Sequence, residues 1–359
     1  MIAGGGTGGH LYIGIALARE LQRRDPERDF LFVGTRRGLE ARIVPQEGFR
    51  VEFIVSAGLK KMGLLPAVRN FLLIPRSLLQ ARRIIRTFAP CVVVGVGGYS
   101  SGPVVLAAWW LGKPTLIMEP NAYPGLANRL LAPVVDRVAL ALPDAGRYFR
   151  KKGIVTGIPV REEFRCIRTR VHGADDFNLL IYGGSQGSRA LNSIVCAALP
   201  ELRELGAVVR LVHQTGEKEL EEVRRAYRVA GVEGDVQAFF PNIYRQFENA
   251  DLILARAGAS TVAEVTAAAR AAILVPFPGA ADDHQTRNAR ALEKHGAARM
   301  IPESEWEPGR LGREIRFFME HPEKISRMEA AARRLAKPEA TIQIANLIEQ
   351  LASGAQATQ

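Results

Sequence analysis

The chain is poor in residues that staple or stack. Its three cysteines, Cys91, Cys166 and Cys196, lie far apart and form no CxxC. That argues against a disulfide framework or a cysteine-built zinc site and suits a reducing cytosol. Aromatic residues are scarce at 7%. No aromatic-rich motif accompanies the basic residues, so no nucleic-acid partner is expected.

Acidic residues are missing from a long stretch. Between Phe53 and Met118 there is no Asp or Glu, while Lys60, Lys61, Arg69, Arg76, Arg82, Arg83, Arg86 and Lys113 all fall there. With a net charge of +11, this imbalance points to an anionic substrate or an anionic membrane surface. From Thr87 to Gly112 charge is absent altogether. The middle of that stretch reads GVGGYSSGP, however, and clustered Gly, Ser and Pro punctuate a strand and a helix instead of sustaining one spanning helix. The glycine loop at the N-terminus leaves no signal peptide visible.

What is present is alternation. Apolar runs at Phe30–Val33, Val51–Ile54, Cys91–Val94, Thr115–Met118 and Arg137–Ala139 predict strands. Amphipathic patterns at Leu11–Arg23, Pro66–Phe88, Gly102–Leu111 and Gly125–Leu131 predict helices between them. The first strand is expected to be a stub, since only Met1 to Ala3 precede the glycines. Near TGIPVREEF the pattern pauses and restarts, with strands expected at Asn178–Tyr182, Val208–Val212, Val236–Phe239, Leu252–Leu254 and Ala272–Val275. The fold class is therefore α/β, with two Rossmann-like, doubly wound parallel-sheet domains. We divide them at residues 1–157 and 158–336. Residues 337–359 hold a final helix, Ala340–Leu351, expected to pack back on the first domain.

Three glycine turns carry the functional signal. Gly4 to Gly9 satisfies GxGxxG between a strand and a helix, the dinucleotide fingerprint. An acidic residue is then expected to end the second strand, but Thr35, Arg36 and Arg37 stand there, so the fingerprint leaves room only for an NADP-dependent oxidoreductase. The bland reading is that these glycines let strand and helix pack closely. Gly95–Pro103 and Gly183–Gly187 repeat the geometry. Helix N-termini behind such turns favour anionic groups such as a diphosphate.

Further on, Gly258 ends a turn, and Ala259, Ser260 and Thr261 begin a helix whose N–H groups and hydroxyls can face a diphosphate. Glu264 either accepts bonds from vicinal ribose hydroxyls or closes a capping box with Thr261. Gln285 and Asn288 share a helical face and are candidates for sugar hydroxyls. Of Asp282 and Asp283, one is expected to cap that helix, and no third metal ligand accompanies them.

In order, GGGTGGH, GVGGYSSGP, EPNAYPGLANRLLA, TGIPVR, GGSQGS, GASTVAE and DDHQTRNA resemble the MurG family of bacterial peptidoglycan glycosyltransferases, a GT-B group within glycosyltransferase family 28. The likeness covers about Met1 to Leu351. It implies a GT-B fold with an interdomain cleft and an inverting transfer of GlcNAc from UDP-GlcNAc to lipid I, undecaprenyl-diphospho-muramoyl-pentapeptide, at the inner face of the cytoplasmic membrane. Two departures stand out: Ile13 replaces the proline usual after the histidine, and Pro120 replaces the glutamine usual before Asn121.

Residue by residue, the resemblance puts Arg161 and Ser185 near the nucleotide and the backbone of Phe240 on the uracil. Ala259, Ser260 and Thr261 would meet the diphosphate, Glu264 the ribose and Gln285 the GlcNAc. Thr7, Gly8, Gly9 and Asn121 would border the sugar, and Tyr99 belongs to the acceptor side. His10 is the candidate general base, with the glycines around it leaving space for a muramoyl group. The alternative for His10 is a turn-capping or phosphate-binding role. His213, at a strand end, is expected to border the nucleotide. No DxD occurs, which fits a route needing no metal or other cofactor. Leu59–Arg86, apolar residues ringed by cations, suits an anionic bilayer or, equally, a core helix with a basic outer face. Two further readings stay open: another GT-B enzyme acting on a different glycolipid, and a non-catalytic nucleotide-sugar-binding subunit.

Overall fold

The computed structural model describes residues 1–5, 8–56, 64–170, 177–184, 186–205 and 208–356; for residues 8, 9, 64–72, 355 and 356 it describes the backbone alone. The chain divides into two compact units, Met1–Pro159 with Lys337–Gln359, and Val160–Ala336.

In the first unit strands and helices alternate: β1 (Ile2–Gly4), α1 (Gly8–Arg24), β2 (Leu31–Gly34), α2 (Glu40–Gln46), β3 (Arg50–Phe53), α3 (Leu64–Phe88), β4 (Val93–Gly97), α4 (Ser101–Trp110), β5 (Thr115–Glu119), α5 (Leu126–Leu131), β6 (Arg137–Leu140) and β7 (Gly153–Val155). The strands form one parallel sheet in the order β3-β2-β1-β4-β5-β6-β7. The interior strand β5 is buried at every residue, whereas the edge strand β3 alternates exposed and half-buried residues. A parallel sheet covered on both faces requires this contrast. Ile117, Val93, Val138 and Val105 meet in its core. The strand stub expected at the N-terminus is β1, three residues long.

The second unit runs α6 (Glu162–Arg165), β8 (Phe177–Tyr182), α7 (Arg189–Glu204), β9 (Val209–Gln214), α8 (Leu220–Ala230), β10 (Asp235–Gln237), α9 (Ile243–Asn249), β11 (Leu252–Ala255), α10 (Ala259–Ala267), β12 (Ala272–Leu274), α11 (His284–Lys294), β13 (Arg299–Met300), α12 (Arg310–Glu320) and α13 (Pro322–Leu335). Its parallel sheet has the order β10-β9-β8-β11-β12-β13. Leu179, Ile181, Leu252, Leu254 and Ile273 build the core against α7 and α12.

The chain then returns to the first unit. Helix α14 (Ala340–Gln356) lies on α1. Arg24 reaches Glu349 at 2.7 Å and Asn346 at 2.7 Å, and Arg28 reaches Glu349 at 3.1 Å.

Among the described residues no helix is long and apolar enough to cross a membrane. Of Leu59–Arg86, residues 59–63 lie outside the described residues, as do the side chains of 64–72. Over the rest of α3, Ser77, Ala81 and Ile85 face the core and Arg76, Leu79, Arg83 and Arg86 face outward. Trp109 and Trp110, at the end of the adjoining α4, are also exposed, and the Arg82 guanidinium lies 5.8 Å from the Trp110 ring.

Candidate functional site

In the first unit two glycine loops pack back to back. The Gly5 amide donates to the Gly97 carbonyl at 3.3 Å, and a Cβ at Gly98 would lie 2.1 Å from the Gly5 oxygen. Gly97, at φ +103°, sits directly under His10, where a Cβ would come within 2.9 Å of the imidazole. The glycines thus provide the floor on which a half-buried His10 rests. Thr7 lies outside the described residues, and Gly8 and Gly9 form the first turn of α1.

The dinucleotide alternative meets an obstacle here. The Glu40 carboxylate lies under the first loop, where a Cβ at Gly5 would be 2.3 to 2.5 Å from it, and it accepts from the Thr35 amide at 2.8 Å and hydroxyl at 3.0 Å. A buried carboxylate under that turn repels a diphosphate, which argues against the NADP reading.

The second loop leads into α4, whose N-terminus has no side-chain cap. The buried hydroxyls of Ser100 and Ser101 find no partner among the described residues. Tyr99 is exposed, and its carbonyl accepts from Ser56 at 2.7 Å.

Asn121 stands on a loop organised by Glu119, a residue that the sequence reading passed over. Buried at the end of β5, the Glu119 carboxylate accepts from the Asn121 amide (2.9 Å) and side chain (3.2 Å), the Gly125 amide (3.0 Å) and Asn128 (2.8 Å). Burial raises its pKa, and these hydrogen bonds oppose the rise.

In the second unit several residues distant in sequence converge. Arg161, exposed at the head of α6, donates to the Pro241 carbonyl at 3.3 Å, and its guanidinium lies 5.1 Å from the Phe164 ring. The neighbouring Phe240 is buried, and its amide donates to the Gln214 side chain at 2.9 Å. Of the two backbone groups of Phe240, the N–H is therefore already engaged within the protein. Gln214 also donates to the Gly184 carbonyl at 2.9 Å, so one buried amide ties the third glycine loop to the Phe240 segment. Ser185 itself lies outside the described residues.

The loop is fixed by close backbone approach as well, for a Cβ at Gly187 would fall 1.9 Å from the Thr215 oxygen. Arg256 anchors its far end, donating to Ser188 at 2.7 Å and to the Val275 and Pro276 carbonyls at 3.1 and 3.2 Å.

Helix α10 begins at Ala259, with Gly258 at its N-cap and no side-chain cap. Thr261 is therefore inside the helix, and Glu264 lies too far along it to close a capping box. Thr261 is also buried, so the first turn offers N–H groups and Ser260 more than the Thr261 hydroxyl. Glu264 instead accepts from the Tyr182 phenol at 3.1 Å. Burial pushes its carboxyl up to about 7, opposed by that hydrogen bond and by the charge of Arg161.

Three other expectations are corrected or refined. Asn288 is buried and donates to the Ala257 carbonyl at 3.1 Å, which makes it a tie between α11 and the α10 turn, not a sugar contact. Gln285, on the same helix, accepts from the Phe277 amide at 2.9 Å. Asp283 occupies the N-cap of α11 but caps no amide, and it accepts from the Thr286 hydroxyl at 2.6 Å.

His213 does not border an open site. It is fully buried, 3.2 Å from the Tyr227 oxygen and 3.0 Å from Asn192 Oδ1, and burial depresses its pKa to about 3. Among the described residues no cluster of three His, Cys, Asp or Glu is placed to hold a metal ion.

Two family descriptions match this chain: the glycosyltransferase family 28 N-terminal domain over residues 1–140 and the family 28 C-terminal domain over residues 178–347. An Anaeromyxobacter protein is 48% identical over 98% of this chain and 93% of its own length. A Syntrophus aciditrophicus protein is 47% identical over 93% of each. Both are named UDP-N-acetylglucosamine–N-acetylmuramyl-(pentapeptide) pyrophosphoryl-undecaprenol N-acetylglucosamine transferase. Among solved structures, Acinetobacter baumannii MurG superposes with a TM-score of 0.82 at 32% identity, over 98% of both chains.

Proposed function

Since the chain belongs to glycosyltransferase family 28, we propose that it moves N-acetylglucosamine from UDP-N-acetylglucosamine to the muramoyl 4-hydroxyl of undecaprenyl-diphospho-muramoyl-pentapeptide, releasing UDP. Two doubly wound parallel units are the pair that a GT-B fold requires. The observation that carries the assignment of the donor to the second unit is the convergence of Arg161, Phe240 and Glu264 near the uncapped start of α10.

On this reading the uracil lies against the Phe240 segment beside Arg161 and the Ser185 loop. The ribose hydroxyls donate to Glu264, and the diphosphate meets the amides of Ala259, Ser260 and Thr261. Gln285 serves the sugar. The uncapped start of α4, beside Tyr99, suits the acceptor's own diphosphate, with Asn121 held ready by Glu119.

His10 is the proposed base. A neutral imidazole has a ring-nitrogen lone pair that can take a proton. It removes the 4-hydroxyl proton as that oxygen attacks the anomeric carbon and the bond from that carbon to the UDP oxygen breaks, inverting the centre. Positive character develops on the donor sugar, as in glycoside hydrolysis, and negative charge on the leaving diphosphate. The α10 amides, already oriented, stabilise that charge without reorganising.

The exposed Leu79, Trp109 and Trp110 with Arg76, Arg82, Arg83 and Arg86 support peripheral attachment to the cytoplasmic face of the bacterial membrane. Co-sedimentation with phosphatidylglycerol vesicles, lost on Trp110→Ala and weak with phosphatidylcholine, is the expected result. The test of the reaction is radiolabelled UDP-GlcNAc with a short-chain analogue of the acceptor. Label should pass into the lipid with release of UDP. Folded protein that binds UDP but glycosylates only other glycolipids would refute the acceptor assignment, and binding of NADPH in place of UDP would refute the class.

A further inference from the structure

We propose that Tyr182 is a positioning residue for the donor: its phenol holds the Glu264 carboxylate in the orientation, and in the ionised form, that receives the ribose hydroxyls. This rests on the reading of Glu264 as the ribose ligand.

Tyr182 closes β8 and is buried. Its ring stands edge-on to Phe247 at 5.4 Å and 81°, and Phe247 stands edge-on to Phe164 at 5.0 Å and 88°. These contacts fix the ring, and the ring fixes the hydroxyl. A buried phenol needs a partner for its proton, and the partner here is Glu264 at 3.1 Å, 82 residues away in sequence. An ionised carboxylate only accepts hydrogen bonds, with about four lone-pair sites over two oxygens. One donor from Tyr182 leaves the capacity that a vicinal diol needs. A protonated carboxyl turns one of those sites into a donor and disrupts the match.

The balance between the two forms is close. Burial disfavours the charge and pushes the carboxyl to about 7, while the Tyr182 hydrogen bond and Arg161 favour it. Of the elements packed on α10, α6 carries Arg161 at its N-cap, and α11 and α13 bring no further charge to bear on Glu264 among the described residues. Tyr182→Phe removes one of the two supports. Losing a hydrogen bond to a charged group corresponds to a shift on the order of one pKa unit.

The test is calorimetric titration with UDP between about pH 5 and 9 for wild type, Tyr182→Phe and Glu264→Gln, alongside a carbon-13 titration of the Glu264 carboxyl. Wild-type affinity should fall about tenfold per pH unit below a midpoint near 7. Tyr182→Phe should move that midpoint upward by about one unit, bind UDP about fivefold more weakly at pH 7, and rejoin wild type by about pH 9. An unchanged midpoint, or a loss of affinity that is constant with pH, would overturn the role of Tyr182 while leaving Glu264 as ribose ligand, provided Glu264→Gln is weak at every pH. If Glu264→Gln binds UDP as wild type does, the ribose reading fails and the proposal fails with it.

Discussion

Gly97→Ala tests the seat of His10 without touching the imidazole. An added Cβ would lie 2.9 Å from the ring, and ordinary contact begins at 3.4 Å, so the imidazole must retreat by about 0.5 Å or more. The backbone at φ +103° adds strain on the order of 1–3 kcal/mol for a residue with a side chain. Misplacing a reacting group by about 1 Å can cost roughly 10²-fold. The expected fall in kcat is therefore about tenfold to a hundredfold, short of the roughly 10²–10⁴ for losing a general base entirely. UDP affinity should not change, because Gly97 belongs to the first unit and the donor is assigned to the second. Steady-state kinetics with the acceptor analogue, calorimetry with UDP and circular dichroism separate these effects. Folded Gly97→Ala with wild-type kcat would refute the positioning argument, and His10→Ala with wild-type kcat would refute the base. Gly98→Ala is a useful contrast. Its Cβ would strike the Gly5 carbonyl, backbone against backbone, so unfolding of the loops should precede any specific kinetic effect.

Gln214→Leu leaves the Phe240 amide and the Gly184 carbonyl without their buried partner, at about 1–3 kcal/mol. UDP binding should weaken by about tenfold or more, while vesicle binding stays constant. Glu119→Gln sets an NH2 donor among four N–H donors, so amide exchange across residues 120–128 should quicken and kcat fall. Glu264 binds its proton more tightly folded than unfolded, because its folded pKa is about 7 against an ordinary value near 4.3. Ligand-free stability therefore falls as pH rises through that window, by at most on the order of 3 kcal/mol. Glu264→Gln should melt above wild type at pH 8, and the difference should shrink as pH falls and vanish below about pH 4.

Strands with a strong apolar run were legible in the sequence. Thr115–Met118 and Leu252–Leu254 become β5 and β11, since a strand buried on both faces must be apolar throughout. Short edge strands were not. β13 has two residues, Arg299 and Met300, and carries no pattern to read. α2 was passed over because it is seven residues long and contains Pro45. Spacing alone suggested a capping box from Thr261 to Glu264, but the helix starts at Ala259, and only the backbone reveals that offset. Tyr182, Gln214 and Glu119 were missed for another reason. Their roles are set by partners brought near by strand order, and no local motif marks them. A signal did exist for Glu119, an acidic residue ending an otherwise apolar strand, and for Gln214, a polar residue closing β9 two residues before a glycine.

The return of α14 to α1 makes the second unit an insertion within the first. During synthesis the inserted unit emerges complete before its host has received its closing helix. Clipping the tail near Glu349 would thus be felt not by the neighbouring stretch of sequence but at Arg24, which ends the helix that carries His10, and at Arg28 just beyond it.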